Sequence, residues 1–234
     1  MSSRPASAAA TVQSLGETPM FAHLDESERR KLAGMARLHT FASETPIARQ
    51  GDVWPYLLRV NAGAVTAIKV SPEGRNLMVA TIHPGEVFWG LAFFVEDAPM
   101  PATFVSQGAT ELLLWRREDI LPVVLSNGKF AWELCQTLIR RVQFASDIVE
   151  RLAFQPVAGR LARLLIDQAE EAGSAPFSRD LTLDDMAARI GTTREVISRV
   201  LHRLSDDGII SITRSEFTVQ DPAGLAEVAQ KVKG

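Results

Sequence analysis

The chain has 234 residues, and its 25 Lys+Arg against 28 Asp+Glu give a formal net charge of −3. This length suits two modest domains, and no apolar run reaches the roughly 18 residues of a membrane span, which excludes a helical membrane protein. The one cysteine, Cys135, excludes an internal disulfide and fits a reducing compartment. We therefore predict a cytoplasmic protein that makes no membrane contact.

Residues 1–16 have a composition that predicts a disordered tail. They contain one arginine and many small residues, but they lack the apolar stretch of a secretory signal peptide. We therefore assign no targeting role to them and predict that the first structured domain covers residues 17–126.

Residues 17–126 carry the pattern of a β-rich domain. One helix is predicted over residues 25–36, and the alternating or apolar runs after it, bounded by glycine and proline turns, predict strands. The predicted strands cover residues 39–41, 56–60, 64–70, 77–82 and 102–115. Many short strands at this spacing are typical of a jelly-roll or barrel.

Residues 127–154 predict one long helix, because they contain no proline and only one glycine, near their start. Small or apolar residues recur at alternating steps of four and three, which is the spacing of a coiled-coil seam. The seam consists of Ala131, Cys135, Leu138, Val142, Ala145, Val149 and Leu152. This spacing favours a parallel homodimer over the alternative, a single amphipathic helix packed on its own domain. We expect Cys135 to be a small buried hydrophobic residue, with a redox or inter-chain thiol as the alternative.

Residues 181–212 predict two short amphipathic helices joined by a tight turn. Thr182 is the expected N-cap of the first helix, and Gly191 supplies the positive φ that ends it. The second helix starts after Thr192 or Thr193. The predicted buried faces consist of Leu183, Met186, Ala187 and Ile190 in the first helix, and Val196, Ile197, Val200, Leu201 and Leu204 in the second.

The outward face of the second helix has the residue types that read DNA bases. Arginine pairs with guanine O6 and N7, and glutamate accepts from cytosine N4. The predicted base contacts are Arg194, Glu195, Ser198 and Arg199. An ordinary helical hairpin with a solvated charged face is the alternative. We favour a helix–turn–helix, because the small, glycine and branched residues all fall at the required offsets together.

Sugar–phosphate contacts are predicted around this helix. The expected residues are Thr182, Thr193, His202, Arg203 and Arg214. Arg214 lies in a polar turn between two short predicted strands, residues 209–212 and 217–219, which form a wing; a solvated turn arginine is the alternative there. Residues 193–204 carry three arginines against one glutamate, so the local charge is positive although the chain as a whole is acidic.

The run from Thr193 to Arg199 matches the R-E-x-x-[GS]-R recognition signature, and through it the chain resembles the CRP/FNR family of bacterial transcription regulators. Residues 152–154 and 160–161 resemble that family's hinge. The turns at residues 49–52, 61–63 and 84–86 resemble those of its sensory β-roll. Only about the first fifteen residues fall outside the match.

The resemblance implies an α+β fold with an N-terminal double-stranded β-roll, a long dimerisation helix and a C-terminal winged helix–turn–helix. The implied domains are a sensory domain at residues 17–126, a dimerisation helix and hinge at 127–154, and a DNA-binding domain at 155–234. It further implies a homodimer that binds palindromic double-stranded DNA with TGA-containing half-sites and works with RNA polymerase. Arg194 resembles the GTGA-reading branch and Ser198 the TTGA-reading branch, so the outer base stays open. An effector in the β-roll would act through the hinge at residues 154–156.

The effector pocket is expected in residues 85–106. In relatives that bind cyclic nucleotides this segment is a phosphate cassette, with a glutamate for the ribose and an arginine for the phosphate. Here Gly90-Leu91 and Met100-Pro101 stand near those positions, and no arginine occurs from 76 to 115. Because a buried phosphate without a cation is costly, we predict that cyclic AMP and cyclic GMP are not the effector. The predicted pocket residues are Gly85, Glu86, Trp89, Leu91, Met100, Ala102 and Thr103.

The same sequence bears on the other sensor types of the family. An iron–sulfur cluster needs four cysteine ligands and is predicted absent. Haem, in a sensor of nitric oxide or carbon monoxide, is an alternative. Its candidate ligands are His23, His39 and His83, although each is more simply explained as a structural or surface histidine. The run at residues 200–204 resembles the haem-using, nitric-oxide-responsive regulators. A small apolar or aromatic ligand, no ligand at all, and a ligand-binding module acting through protein contacts also stay open.

The chain lacks the motifs of common enzymes. It has no glycine-rich phosphate loop, no G-x-S-x-G, no H-E-x-x-H and no Cys/His cluster with metal-ligand spacing. We therefore predict no catalytic residues, no metal site beyond the candidate haem ligands and no enzymatic activity.

Overall fold

The computed structural model describes residues 2–5, 8–173 and 176–232, with side chains from residue 11 onwards. The chain divides into two compact units. The first contains Met1–Lys69 and Val79–Gln143, and the second contains Val70–Met78 and Phe144–Gly234. Each unit has its own hydrophobic core.

The first unit is built from strands and short helices. Its helices are α1 Ala8–Gly16, α2 Pro19–Ala22, α3 Glu26–Met35, α4 Arg117–Ser126 and the start of α5 Gly128–Phe154, with a 3-10 turn at Leu91–Phe93. Its strands are β1 Ser2–Pro5, β2 Arg37–Phe41, β3 Pro46–Ala48, β4 Tyr56–Val70, β5 Asn76–Ile82, β6 Val87–Trp89 and β7 Thr103–Arg116. The tip of the β4–β5 hairpin belongs to the second unit.

Seven strands form one sheet in the order β1-β2-β7-β4-β5, with β3 beside β7 and β6 beside β4. Successive side chains of a strand point to opposite faces, so the sheet supports two separate cores. Leu57 and Trp115 lie on the outer face, which packs against the helices. Leu58 and Leu114 lie on the inner face, whose core comes from the strands and the loops between them.

The predicted helix over residues 25–36 is confirmed as α3. Asp25 is its N-cap and forms a capping box with Glu28, in which each side chain accepts from the other residue's backbone N–H. The Trp115 indole donates to the carbonyl of Leu32 at 2.8 Å and joins α3 to the sheet. The strands predicted at 56–60 and 64–70 are one strand, β4, with irregular register between residues 60 and 64.

The N-terminal segment differs from the disordered tail predicted for residues 1–16. β1 pairs with β2, and α1 buries Leu15 in the outer core. The buried Arg59 guanidinium donates to the Thr18 hydroxyl at 2.7 Å and to the Ser14 carbonyl at 3.3 Å, which ties this segment to β4. The apolar residues of α1 are too few for a periodic pattern, so composition alone was misleading. Met1, Ala6 and Ser7 lie outside the described residues.

The long predicted helix is present as α5, at Gly128–Phe154. Cys135, expected to be buried, is exposed in the single chain. Most of the predicted seam is equally open, including Val142 and Val149, which are 63% and 66% exposed. The prediction for Cys135 assumed a second helix over the seam, and the single chain does not supply one.

The second unit combines the end of α5 with further helices and a small sheet. Its elements are α6 Val157–Ala172, β8 Phe177–Ser178, α7 Leu183–Ile190, α8 Arg194–Asp206, β9 Ile210–Ile212, β10 Glu216–Val219 and α9 Pro222–Gln230. The sheet has the order β8-β10-β9. Ile197, Leu201 and Phe217 lie in the core of this unit.

Arg160 in α6 is a buried cation of the second unit, 9% exposed. Burial lowers the pKa of its guanidinium. The side chain donates to the carbonyl oxygens of Gln155 at 2.6 Å and of Ile190 at 2.8 Å. These bonds satisfy carbonyls at the ends of two helices, α5 and α7, which would otherwise lack intrahelical partners.

The α+β class predicted from the sequence is confirmed, with the strand-rich domain first, the long helix after it and the winged helix–turn–helix last. Among the described helices, none combines the length and the apolar character needed to cross a membrane.

Candidate nucleic-acid interface and effector pocket

The first helix of the predicted pair, α7, is defined at both ends by its local sequence. Thr182 and Asp185 form a capping box, in which the Thr182 hydroxyl accepts from the Asp185 N–H at 3.1 Å. Gly191 ends the helix at φ 70°, a left-handed conformation that favours glycine. Met186, Ala187 and Ile190 are buried as predicted. The turn to α8 therefore starts at the predicted residue.

The recognition helix α8 presents most of its predicted DNA-contact residues outward. Thr193 occupies its N-cap position but makes no side-chain capping bond. The exposed residues are Arg194, Glu195, Arg199, His202 and Arg203, whereas Ser198 and Thr193 are half-buried. The opposite face buries Ile197, Leu201 and Leu204 in the core of the second unit. One face of α8 is thus available to a groove of DNA.

The charge state of Glu195 suits a hydrogen-bond acceptor. Its own backbone N–H and the Thr193 hydroxyl lower the pKa of this carboxyl, and the Arg194 guanidinium lowers it further. An ionised carboxylate only accepts hydrogen bonds, as cytosine N4 requires.

Arg194 has a partner that the sequence pattern did not reveal. Its Nη1 lies 3.3 Å from Oδ2 of Asp184, in the first turn of α7. Both side chains are well exposed, so this is a solvated ion pair across the turn between the two helices. Asp184 therefore holds one of the predicted base-reading side chains.

The predicted wing is present as β9 and β10. Arg214 is exposed in the turn between them, and the Thr213 hydroxyl accepts from the N–H of Glu216 at 3.0 Å. Arg179, which was not predicted, lies over the ring of Phe217 with its guanidinium carbon 5.5 Å from the ring centroid, and donates to the Thr213 carbonyl at 3.4 Å. It adds a cation near the turn between β9 and β10.

Thr182 was predicted to contact phosphate, and its hydroxyl is already engaged. Besides accepting from Asp185 N–H, it donates to Asp185 Oδ2 at 2.6 Å. A phosphate contact through this hydroxyl would compete with the capping box. The backbone of the α7 N-terminus is the simpler anion donor at this point.

The predicted effector residues are spread over both faces of the sheet. Trp89 lies in the outer core and Met100 in the inner core. The Glu86 carboxylate accepts from the N–H of His83 at 2.7 Å, within the turn that contains Gly85. Leu91 is exposed, and Ala102 is buried beside the Thr103 hydroxyl, which accepts from the N–H of Gln50. These side chains are used in packing and turns.

The backbone at Gly90 is closely packed. A Cβ atom on Gly90 would lie 1.8 Å from the Trp54 carbonyl oxygen, so only glycine permits this approach. Met100, which is 2% exposed, lies on the same spot with its sulfur 3.2 Å from that Cβ position. The cassette is therefore packed by apolar groups and a backbone carbonyl.

Two arginines from outside residues 76–115 reach the cassette, and the sequence pattern predicted neither contact. Arg141 of α5 donates to the Val87 carbonyl at 2.6 Å and lies over the Trp89 ring, 4.9 Å from its centroid. Burial lowers the pKa of Arg141, and Glu86 partly offsets that effect. Arg117 donates to the Phe93 carbonyl at 3.0 Å. Both guanidiniums bind the cassette backbone.

The three candidate haem ligands occupy different environments. His23 is partly exposed beside Glu133, at 3.4 Å, and His83 is exposed in the turn before β6. His39 is buried in β2. Within residues 2–5, 8–173 and 176–232, no group of three His, Cys, Asp or Glu side chains is arranged to hold a metal ion. Haem ligation stays a prediction from the sequence.

Two family models match this chain. The Crp-like helix-turn-helix domain matches residues 159–228, and the cyclic nucleotide-binding domain matches residues 38–127. Together they cover most of the chain. Both elements of the predicted architecture are thus recognised independently, in the predicted order.

Whole-chain relatives have the same architecture. The cyclic AMP receptor protein of Thermus thermophilus is 29% identical over 212 residues, covering 91% of this chain and 97% of the relative. A transcriptional regulator of the crp/fnr family from Eubacterium rectale superposes with a TM-score of 0.78 at 18% identity, covering 91% and 98%. The c-di-GMP-responsive global regulator CLP of Xanthomonas campestris superposes with a TM-score of 0.72 at 21% identity, covering 83% and 99%. At these identities the two solved structures establish the fold alone.

Proposed function

Because the chain belongs to the CRP/FNR family, whose members are DNA-binding transcription regulators and not enzymes, we propose that it is a homodimer that binds a palindromic operator with TGA-containing half-sites. Its N-terminal domain is of the effector-binding, cyclic nucleotide-binding type. RNA polymerase is the proposed partner at the promoter, and the cytoplasm is the proposed location.

The exposed charge pattern of α8 carries this proposal. Arg194, Glu195 and Arg199 stand exposed in the first two turns of a helix whose other face is buried. These residue types match guanine and cytosine edges in the major groove.

The exposed seam of α5 supports the homodimer. Val142 and Val149 stand open to solvent in one chain, and Trp132 and Ile139, which the heptad pattern did not include, are exposed beside them. An exposed apolar patch of this kind is typical of a surface that a partner covers. Two such helices in parallel would place two copies of α8 about 34 Å apart, one turn of DNA.

The packed cassette supports an effector other than a cyclic nucleotide. A cyclic phosphate needs a cation, whereas around Gly90 and Met100 the structure has a close backbone approach to the Trp54 carbonyl and a buried thioether. Arg141 and Arg117 already donate to backbone carbonyls of the cassette. Binding of cyclic AMP would therefore require this packing to be broken.

Selection from random DNA, followed by titration of single-base operator variants, tests the proposal. We expect a palindrome to be enriched. Arg194→Ala should then cost about 1–3 kcal/mol and relax specificity at one base pair. Cyclic AMP should leave the operator affinity unchanged.

The matched control is Arg163→Ala, which removes an exposed arginine of α6 that pairs with Asp167. It should bind the operator as the wild type does. If Arg194→Ala instead lowers the affinity for all DNA sequences equally, Arg194 contacts only a phosphate and does not read a base. Failure to enrich any palindrome would refute the proposed operator.

A further inference from the structure

A cavity of about 510 Å³ lies at one end of the inner face of the sheet in the first unit, away from the cassette. Met35 at the end of α3, Arg37 and His39 of β2, and Asp119 in the first turn of α4 line it, together with residues of β4 and β7. No residue of the cassette, 85–106, is among its lining residues. A cavity of this volume is in the range that holds a small organic molecule.

The strand register brings two arginines of the cavity together. Arg37 in β2 lies opposite Leu114 in β7, and Arg116 in β7 lies opposite Tyr56 in β4. Residues directly opposite each other share a face, so Arg37 and Arg116 are diagonal neighbours, about 7–8 Å apart at the backbone. Side chains of this length can converge on one bound group. Two guanidiniums that line one cavity suit a phosphate, whose oxygens accept paired N–H bonds.

His39 is a third polar residue of the cavity lining. It is 9% exposed, and its Nδ1 atom is fully buried and has no hydrogen-bond partner among the described residues. Because Nδ1 is closed off from the cavity, a bound anion would act on this imidazole through its charge and not through a hydrogen bond to Nδ1.

The remaining polar groups favour an organic phosphate over a bare ion. Asp119 is a hydrogen-bond acceptor on the rim, which repels an anion but suits a hydroxyl group elsewhere on the same ligand. Tyr56 and Met35 give apolar wall for a carbon skeleton. The pairing of Arg116 with Glu118, at 3.5 Å and largely exposed, is a weak competitor for the guanidinium.

We propose that this cavity binds a small phosphorylated molecule that also carries hydroxyl groups, with the phosphate between Arg37 and Arg116 and close to His39. The site is separate from the cassette, so it does not depend on the identity of the effector proposed there. It gives the first unit a second place at which a metabolite can bind.

Proton–carbon NMR of the four histidine Cε1–H groups in the full chain tests the site, with the His39 resonance assigned by its loss in His39→Gln. Ribose 5-phosphate should shift the His39 resonance in a saturable way, with a dissociation constant at or below about 1 mM. Ribose without phosphate should not. In Arg37→Gln/Arg116→Gln the dissociation constant should rise at least about tenfold, because both phosphate-binding cations are lost.

Arg75→Gln is the matched control, because it removes an exposed arginine near the tip of the β4–β5 hairpin. It should bind as the wild type does, and thermal unfolding of all variants should show that they fold. An unmoved His39 resonance, or equal affinity in the double variant, would overturn the site. Equal affinity for inorganic phosphate and ribose 5-phosphate would refute the proposal that the cavity recognises the organic part of the ligand.

Discussion

At the scale of single residues, burial changes the charge state of one polar side chain, His39. Burial lowers the pKa of the His39 imidazole, and the neighbouring Arg37 guanidinium lowers it further. Arg116 and Asp119 line the same cavity with opposite charges. The histidine therefore stays neutral in the folded chain at a pH where the unfolded chain has begun to take up its proton.

This difference predicts a stability loss on the acid side. Below pH 6.5, the ordinary value, the unfolded chain binds a proton at His39 that the folded chain does not, so the free energy of unfolding falls as the pH falls towards the lowered pKa. Above pH 6.5 neither state is protonated and the contribution is constant. His39→Gln should remove this component, so its loss of stability between about pH 7.5 and about pH 5.5 should be smaller than that of the wild type.

Urea unfolding at the two pH values measures the effect. His202→Gln, which changes an exposed histidine of α8, is the control and should keep the wild-type pH dependence. If His39→Gln and the wild type lose the same free energy over this range, His39 is not the titrating group.

At the scale of elements, the helix–turn–helix shows how a local sequence determines a surface. Thr182 starts α7, Gly191 ends it, and the apolar spacing of α8 turns its arginines outward. The ion pair between Asp184 and Arg194 then joins the start of one helix to the start of the next. A carboxylate thus competes with DNA for a side chain that we propose reads a base.

Asp184→Asn should release Arg194 and remove one negative charge near the DNA phosphates. We expect operator affinity to rise about two- to fivefold, the range of an exposed ion pair, with base specificity retained. In an Arg194→Ala background the same substitution should give a smaller gain, because the pair no longer exists. Fluorescence anisotropy with labelled operator measures all four proteins of this cycle. An equal gain in both backgrounds would mean that Asp184 acts only through its general charge.

The elements differ in how far sequence alone could predict them. The caps and faces of α7 and α8 follow from residues within about four positions of each other, so the pattern was sufficient. Arg141 meets Val87 across 54 residues of sequence, and the cavity of Arg37 and Arg116 depends on pairing between distant strands. Such contacts follow from strand register, which turn residues and alternation do not specify here. The α1 segment was mispredicted for another reason, since it is ordered by one fully buried leucine together with the bonds of Arg59 to Ser14 and Thr18, which composition does not reveal.

At the scale of the whole molecule, the exposed seam of α5 is the feature that a single chain leaves incomplete. Val142 and Val149 are solvent-exposed, so they contribute little to the stability of one chain. Their spacing fits a partner helix.

Val142→Asp/Val149→Asp should therefore leave each chain folded and produce monomers, because four like charges would meet in the seam. Affinity for a full palindrome should fall by about a hundredfold or more, since two half-sites would no longer be bound together. Light scattering after size exclusion and operator titration check both. Gln143→Asp, at a neighbouring exposed position outside the seam, is the control. Unchanged dimers in the double variant would refute the seam.

The guanidinium of Arg160 has a mechanical consequence for any switching movement. It donates hydrogen bonds to the carbonyl oxygens of Gln155 and Ile190, so one planar group joins the end of α5 to the end of α7. A rotation of the backbone at residues 154–156 would strain both hydrogen bonds of Arg160. As long as both hydrogen bonds are intact, the end of α5 and the end of α7 would move together.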